Sequence, residues 1–404
     1  MVDDTIGVSE CGEKSIVKNA SINSFVETQK LKMHKDKSVV VHVGKANRCQ
    51  NSCPDLKVHK DKMHEVESTK YLGNIIASRG GAQGTIEDRR SRGWGKVSQV
   101  MAILGEVALG AHRVEAGLIL RQSILVSSLL WSAEAWSDVK EKELKRLEQV
   151  DSHFLRLLIG GHSKCPTVFL HLETGTLKLG HILVIKRLLY LKHILSVNDE
   201  ETIKKVYVKQ KEEAVKGDWY KLIESDFKFI GEDFDENSLK MKTKSEFKRW
   251  VNVKVRKAAF ALYIEEMKGL SKIKTLEYTK LEVQEYLTSA MFNKQERQLL
   301  IDLRSKCHQS KENFRKLYKN NIKCRFGCDK DENQRHVFTE CDKFKEYDTN
   351  SGSYEGIFGN ALSKKQTIEG FLKIDQARQQ LTLLPGEDNA RTHASPRAMQ
   401  QTSL

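Results

Sequence analysis

Residues 70–104 read KYLGNIIASRGGAQGTIEDRRSRGWGKVSQVMAIL, and the chain changes character inside this stretch. Lys70–Ile76 has the aromatic and β-branched content of a strand. The pair Gly80-Gly81 interrupts it. Beyond the pair, Ile86, Arg90, Trp94, Val97, Met101 and Leu104 recur at three- and four-residue steps, the period of an amphipathic helix. Arg89, Arg92 and Lys96 lie alongside. The expected fold class is α+β, with a small N-terminal sheet and then a mostly α-helical chain.

Working upstream, Ser38–Gly44 and Leu56–His59 read as two further strands, Thr5–Ser9 as a short β-prone piece and Ile22–Leu31 as an amphipathic helix. Downstream, Val114–Trp136 reads as one buried helix. Asp138 with Glu141 forms a capping box. It opens a helix whose apolar face is Leu144, Leu147, Val150, Phe154 and Leu158, stopped at Gly160-Gly161. Leu177–Leu195 and Glu201–Lys216 are further helices, and Glu224–Asn237 is an acidic loop and boundary. Lys240–Lys257 interleaves Phe247 and Trp250 with Lys and Arg. It is either a backbone-tracking surface with a stacking position or a helix that buries its aromatics and solvates its lysines. Lys294–Lys319 is a second basic helical stretch. Glu355–Leu362 and Lys365–Gln380 read as helices, and 382–404 as a disordered tail.

The chain has 404 residues, with 68 Lys and Arg against 54 Asp and Glu. That excess favours a polyanionic partner, most often nucleic acid. Only four prolines occur, which suits long helices. The N-terminal MVDDTIGVSECG has no basic region followed by an apolar run, so no secretory signal is expected. The longest apolar stretch, Ala116–Trp136, is interrupted by Arg121, Gln122 and Glu134 and is too polar for a membrane span. An intracellular chain keeps its cysteines as thiols and metal ligands.

Cys324, Cys328, His336 and Cys341 form a C-x3-C-x7-H-x4-C pattern within KCRFGCDKDENQRHVFTEC. Three thiolates and an imidazole can close a tetrahedral shell around Zn²⁺. Small CCHC knuckles of this kind mostly bind single-stranded nucleic acid. His42, Cys49, Cys53 and His59 are a weaker cluster, either a second zinc site or a plain surface loop. Cys165 near His162 lacks a third partner for nucleophilic catalysis. GGAQG lacks the Lys-Ser/Thr of a phosphate-cradling loop.

Three features, in chain order, resemble the C-terminal part of a non-LTR retrotransposon reverse transcriptase. Met1–Thr5 looks like the tail of the palm motif that ends in two aspartates. Lys70–Ile76, then Gly80-Gly81, then Ile86–Arg90 is similar to the family's YLG strand and entry into its thumb. The helices around Gly117–Arg121, Trp131–Trp136 and Leu147–Arg156 continue the likeness. The CCHC knuckle comes last, with C-x3-C where the family usually has C-x2-C. The resemblance implies a palm remnant over 1–79, a helical thumb over 80–223, a basic helical segment over 238–320 and the knuckle with flanking helices over 321–381. It implies Asp3 and Asp4 as catalytic residues of an incomplete Mg²⁺ site, because the family's first palm aspartate lies upstream. The fragment is therefore expected to bind RNA or RNA–DNA hybrid in the nucleus without polymerising alone. Arg89, Arg90, Arg92 and Lys96 are the expected backbone contacts, with zinc in the knuckle, no membrane and no small-molecule substrate. The alternative is a helical protein-interaction module with one structural zinc site.

Overall fold

Two consecutive left-handed residues, Leu72 at φ 45° and Gly73 at φ 81°, fold Lys70–Ile76 back on itself. The expected single strand is therefore a hairpin, β5 (Ser68–Tyr71) against β6 (Asn74–Ala77), with Tyr71 opposite Asn74. Positive φ at both loop positions is the geometry whose twist matches the flanking strands. The computed structural model describes residues 6–8, 12–31, 33–34, 37–43, 56–58, 61–107, 112–137, 139–213, 215, 217–314, 316–319, 321–347 and 365–383. Asp3, Asp4, Cys49, Cys53, His59, Asp138, the segment Glu355–Leu362 and most of the expected tail lie outside them.

Among the described residues the chain is mostly helical, with three two-stranded sheets. The sheets hold β1 (Val39–Val40) parallel to β4 (His64–Glu65), β2 (Lys57–Val58) antiparallel to β3 (Asp61–Lys62), and the β5–β6 hairpin. The helices are α1 (Gly12–Thr28), α2 (Gln83–Val107), α3 (His112–Leu120), the short α4 (Ser127–Leu129), α5 (Glu141–Ile159), α6 (Thr167–Thr174) and α7 (Leu179–Ser196). They continue with α8 (Thr202–Glu213), α9 (Trp219–Ile230), α10 (Glu236–Met241), α11 (Lys244–Lys268), α12 (Glu285–Thr288), α13 (Lys294–Arg304) and α14 (Lys365–Leu383). No single helix among the described residues is long and apolar enough to cross a membrane.

Several expectations are corrected. Ile6–Val8 is not a strand. The first helix begins ten residues before Ile22, at Gly12. Val114–Trp136 is not one helix, because a π segment over Arg121–Val126 follows α3 and Ser132 turns left-handed at φ 56°. Glu224–Asn237 is not an open loop. Its first half completes α9, where Phe227 and Ile230 are buried, and its end starts α10 under an Asp235 cap. Lys294–Lys319 is α-helical only to Arg304, with a further 3-10 turn at Glu312–Phe314. Among the described residues, Glu143 contributes at the start of α5, where its carboxylate accepts from the Lys140 amide at 3.2 Å, while the expected Asp138 lies outside them.

The chain divides into two compact units. The first comprises 1–103, 119–154 and 177–260, and the second comprises 104–118, 155–176 and 261–404. In the first, the buried stripe of α2 is Ile86, Arg89, Gly93, Val97 and Val100, one residue round from the expected Arg90 and Trp94. Gly93 explains the rotation, because a Cβ there would stand 2.6 Å from Leu129 Cδ2 and 3.1 Å from Val150 Cγ1. Trp94 instead faces outward, edge-on to His153 at 5.2 Å. Two buried bidentate pairs lock the same unit, Arg121 with Asp151 and Arg187 with Asp226, at 2.6–2.7 Å. Breaking one partner of such a pair costs about 3–5 kcal/mol, since the other charge stays buried.

The second unit is built around Glu173, fully buried on α6. It accepts from the Tyr278 and Tyr286 hydroxyls at 2.6 and 2.7 Å and from Arg304 Nε at 3.0 Å. Burial raises both phenols well above their ordinary range, with the Glu173 charge adding to the effect. Gly175, at φ 61°, lets the end of α6 meet the 282–283 backbone, where Thr174 and Val283 form a bridge.

Candidate metal centre and basic helix faces

Lys323 and Asp331 form an antiparallel bridge, and the Cys324 amide donates to the Lys330 carbonyl at 2.9 Å. Between them the chain turns through Gly327 at φ 89°, a conformation that glycine adopts without strain. This turn takes up the third residue of Cys324-x3-Cys328. It also aims the Phe326 and Cys328 amides at the Cys324 sulfur. Such outer contacts orient a thiolate ligand. The Asn333 side chain then accepts the His336 amide at 2.7 Å and starts the short helical turn that ends at Cys341.

These two turns bring the four ligands together. One ligand atom from each of Cys324, Cys328, His336 and Cys341 lies within 4.8 Å of all the others. Cys341 Sγ is 4.0 Å from Cys324 Sγ and 3.5 Å from Cys328 Sγ. A tetrahedral ion with metal–sulfur bonds of about 2.3 Å sets sulfurs about 3.8 Å apart. His336 is 2% exposed, yet neither ring nitrogen has a hydrogen-bond partner. An orphaned, buried imidazole is costly unless something else binds it. Burial lowers its pKa, against the opposing pull of Glu340, and this favours the neutral form that coordinates metal. Burial pushes the Cys341 thiol up to about 12 and raises Cys324 as well. Three cysteines and a histidine of this geometry are compatible with a zinc site.

The surroundings rigidify the cluster. Glu332, fully buried, grips Arg325 through the backbone amide at 3.1 Å and the guanidinium at 2.5–2.7 Å. Phe326 stands edge-on to Phe344, and Phe338 lies against Phe371 of α14 at 5.0 Å, so α14 packs beside the Cys/His cluster. His308 Nε2 meets Asp375 of α14 at 2.9 Å, and Arg378 donates to the same carboxylate at 3.0 Å. Sequence reasoning missed Glu332, and also His308 and Asp375, which lie 67 residues apart in the chain. Asn333 was findable, because it sits three residues before His336 at capping distance.

The expected nucleic-acid contacts on α2 are arranged differently. Arg89 is 5% exposed and turned inward, where Nη2 donates to the Gly73 carbonyl at 2.8 Å. It holds the β5–β6 turn and does not face solvent. Desolvation lowers its pKa, although Asp88 opposes this. Arg90 pairs with Glu87 at 2.8 Å and Arg92 with Asp88 at 3.1 Å, while Lys96 reaches Gln99 at 3.0 Å. On α11, Phe247 is buried and Trp250 is half-buried against it, as the solvated-lysine alternative anticipates. His42 lies 3.7 Å from Glu65, and the rest of its cluster is outside the described residues. No family model matches the chain, and no curated protein or solved structure matches it.

Proposed function

We propose that the chain is a nucleic-acid-binding protein of the non-LTR reverse transcriptase kind, acting on RNA or RNA–DNA hybrid in the nucleus. Its helices supply the contacts, and a zinc-held knuckle supplies a rigid accessory module. The observation that carries this is the convergence of Cys324, Cys328, His336 and Cys341, with both His336 nitrogens free for a metal. It follows the Arg89-clamped YLG hairpin and the helical run in the order the resemblance requires. When bound, zinc would act as a structural Lewis acid that fixes two turns. Arg90, Arg92 and Lys96 are contacts that must exchange intramolecular partners for phosphates.

The alternative, a helical protein-interaction module with one structural zinc, has one observation in its favour. Around the metal cluster Lys323, Lys330 and Arg335 are paired with Asp329, Asp331 and Glu340, so the knuckle offers little free positive charge. The two readings separate in a titration of a labelled RNA–DNA hybrid at about 50 and 200 mM salt. Nucleic-acid binding predicts an affinity that falls by about a hundredfold or more across this range, because phosphate contacts release counterions. Absence of binding at the lower salt would leave only the interaction module.

A further inference from the structure

The geometry points to a peroxide-reactive dithiol, in which Cys307 is the sulfur attacked and Cys165 closes the product into a disulfide. It lies outside the nucleic-acid reading and uses none of the residues assigned there. By sequence, Cys165 stands near His162 without a third partner. The fold supplies one from the loop after α13, where Cys307 meets both. The two cysteines are free thiols, 2% and 3% exposed, and their side chains are hydrogen-bonded to each other. Both belong to the second compact unit.

Two loops hold the sulfurs together. The turn before α6 is closed by the Cys165 amide on the His162 carbonyl at 2.9 Å, and Arg156 of α5 donates to the Cys165 carbonyl at 3.2 Å. The loop after α13 is closed by the Cys307 amide on the Asp302 carbonyl at 2.8 Å. The helices beside these loops, α6 and α13, are already joined by Glu173 and Arg304 at 2.9 Å. A bond between the sulfurs would fasten a contact that exists.

The groups around Cys307 make it the nucleophile. The Lys164 amide donates to His162 Nδ1 at 3.0 Å, so the neutral ring carries its proton on Nε2 and donates it in the hydrogen bond with Cys307. The hydrogen bond from Cys165 lowers the Cys307 thiol, burial opposes this, and His162, Ser305 and Lys272 lower it further. Burial raises Cys165, which keeps its proton and donates it. Arg156 sets a positive charge near both sulfurs. In the thiol form, Cys307 Sγ meets the Ser305 carbonyl at 3.5 Å. The thiolate is the form that reacts with oxidants. The sulfurs are buried, whereas His162 is half-buried and Ser163 and Lys164 are exposed. That depth suits a small neutral oxidant, hydrogen peroxide, better than a protein disulfide.

The Cys307 thiolate attacks one peroxide oxygen. The S–O bond forms, the O–O bond breaks, and the departing hydroxide takes up a proton to become water. The Cys165 sulfur then attacks the sulfenic sulfur of Cys307. The S–S bond forms, the S–O bond breaks, and the hydroxyl leaves as water with the Cys165 proton. Two thiols are oxidised to a disulfide and one peroxide is reduced to two waters.

The test treats the purified full chain with hydrogen peroxide, quenches it, denatures it in iodoacetamide and digests it with trypsin. Cleavage after Lys164 and Lys306 leaves each cysteine alone in its peptide, 165–178 and 307–311. The expected product is these two peptides joined, about 2 Da lighter than their sum and separated by reductant. It should form ahead of other cysteine pairs, and that preference should vanish in guanidinium. In Cys165→Ser, Cys307 should accumulate as a sulfenic acid trapped by dimedone. In Cys307→Ser, Cys165 should stay unlabelled. His162→Gln, verified as folded by circular dichroism, should slow the joining at least about fivefold. A wild-type chain in which Cys307 remains open to alkylation after peroxide overturns the proposal, and so does equal joining in guanidinium. Equal dimedone labelling of the two serine variants overturns the roles given to the sulfurs, and an unchanged rate in His162→Gln overturns the role of the imidazole.

Discussion

At the scale of single residues, Asp375 shows how the region around the metal cluster is held. Burial alone would raise its carboxyl, but hydrogen bonds from His308 and Arg378 outweigh burial and hold it well below the usual carboxylate range. A carboxylate depressed in this way adds stability that is fully present above its unfolded value, about 3.9. That stability is lost as pH falls through the folded value. Asp375→Asn should therefore cost about 3–5 kcal/mol at pH 7, because the buried Arg378 and His308 lose the carboxylate they share. The melting-temperature gap to the wild type should stay level above about pH 4 and narrow as pH drops from about 4 to about 2. A gap that stays constant over this range would show that the carboxylate's charge is not the source. Arg89 teaches a related lesson. Its sequence neighbours are solvent-facing arginines, and only the fold reveals that its guanidinium belongs to the Gly73 carbonyl.

At the scale of elements, two glycines with similar dihedrals should respond differently. At Gly81, with φ 78°, no atom lies within 4 Å of where a Cβ would stand, so Gly81→Ala meets backbone strain alone, about 1 kcal/mol. Gly175, at φ 61°, would set its Cβ 2.4 Å from the Glu282 carbonyl carbon and 2.5 Å from the Val283 nitrogen. Backbone cannot step aside as a side-chain tip can, so Gly175→Ala should cost at least about 3 kcal/mol. Chemical denaturation of both variants measures the difference, and equal losses would mean that the approach of 282–283 to α6 is wrong. Helical periodicity made α2, α5 and α7 legible in the sequence, as Leu147, Val150, Phe154 and Leu158 on α5 are all buried. The hairpin was not legible as such. The chain reverses at Leu72-Gly73, and leucine is an unusual residue at positive φ. The break after α3 was also hidden, because Arg121 looks like an interruption of an apolar helix and is in fact the buried partner of Asp151. Glu224–Asn237 misled through its acidity. Asp226 is there to pair with Arg187, and Asp235 to cap α10.

At the scale of the whole molecule, the Cys/His cluster was legible because its spacing is local, whereas part of the shell around it, His308 and α14, comes from residues far apart in the chain. Glu332, Asn333, His308 and α14 convert a four-residue pattern into a supported centre. That support is the reason to treat a bound metal as structural, since the described residues between Lys311 and Tyr347 form short 3-10 and π turns in place of long helices. The central claim is that one zinc ion held by Cys324, Cys328, His336 and Cys341 organises this region. The most direct measurement is the metal content of the purified full chain by plasma mass spectrometry, paired with the melting curve before and after chelation. The account predicts one zinc per chain, and a chelated protein that loses a cooperative part of its melting transition. A chain that contains no stoichiometric metal and melts identically with and without chelator would contradict it.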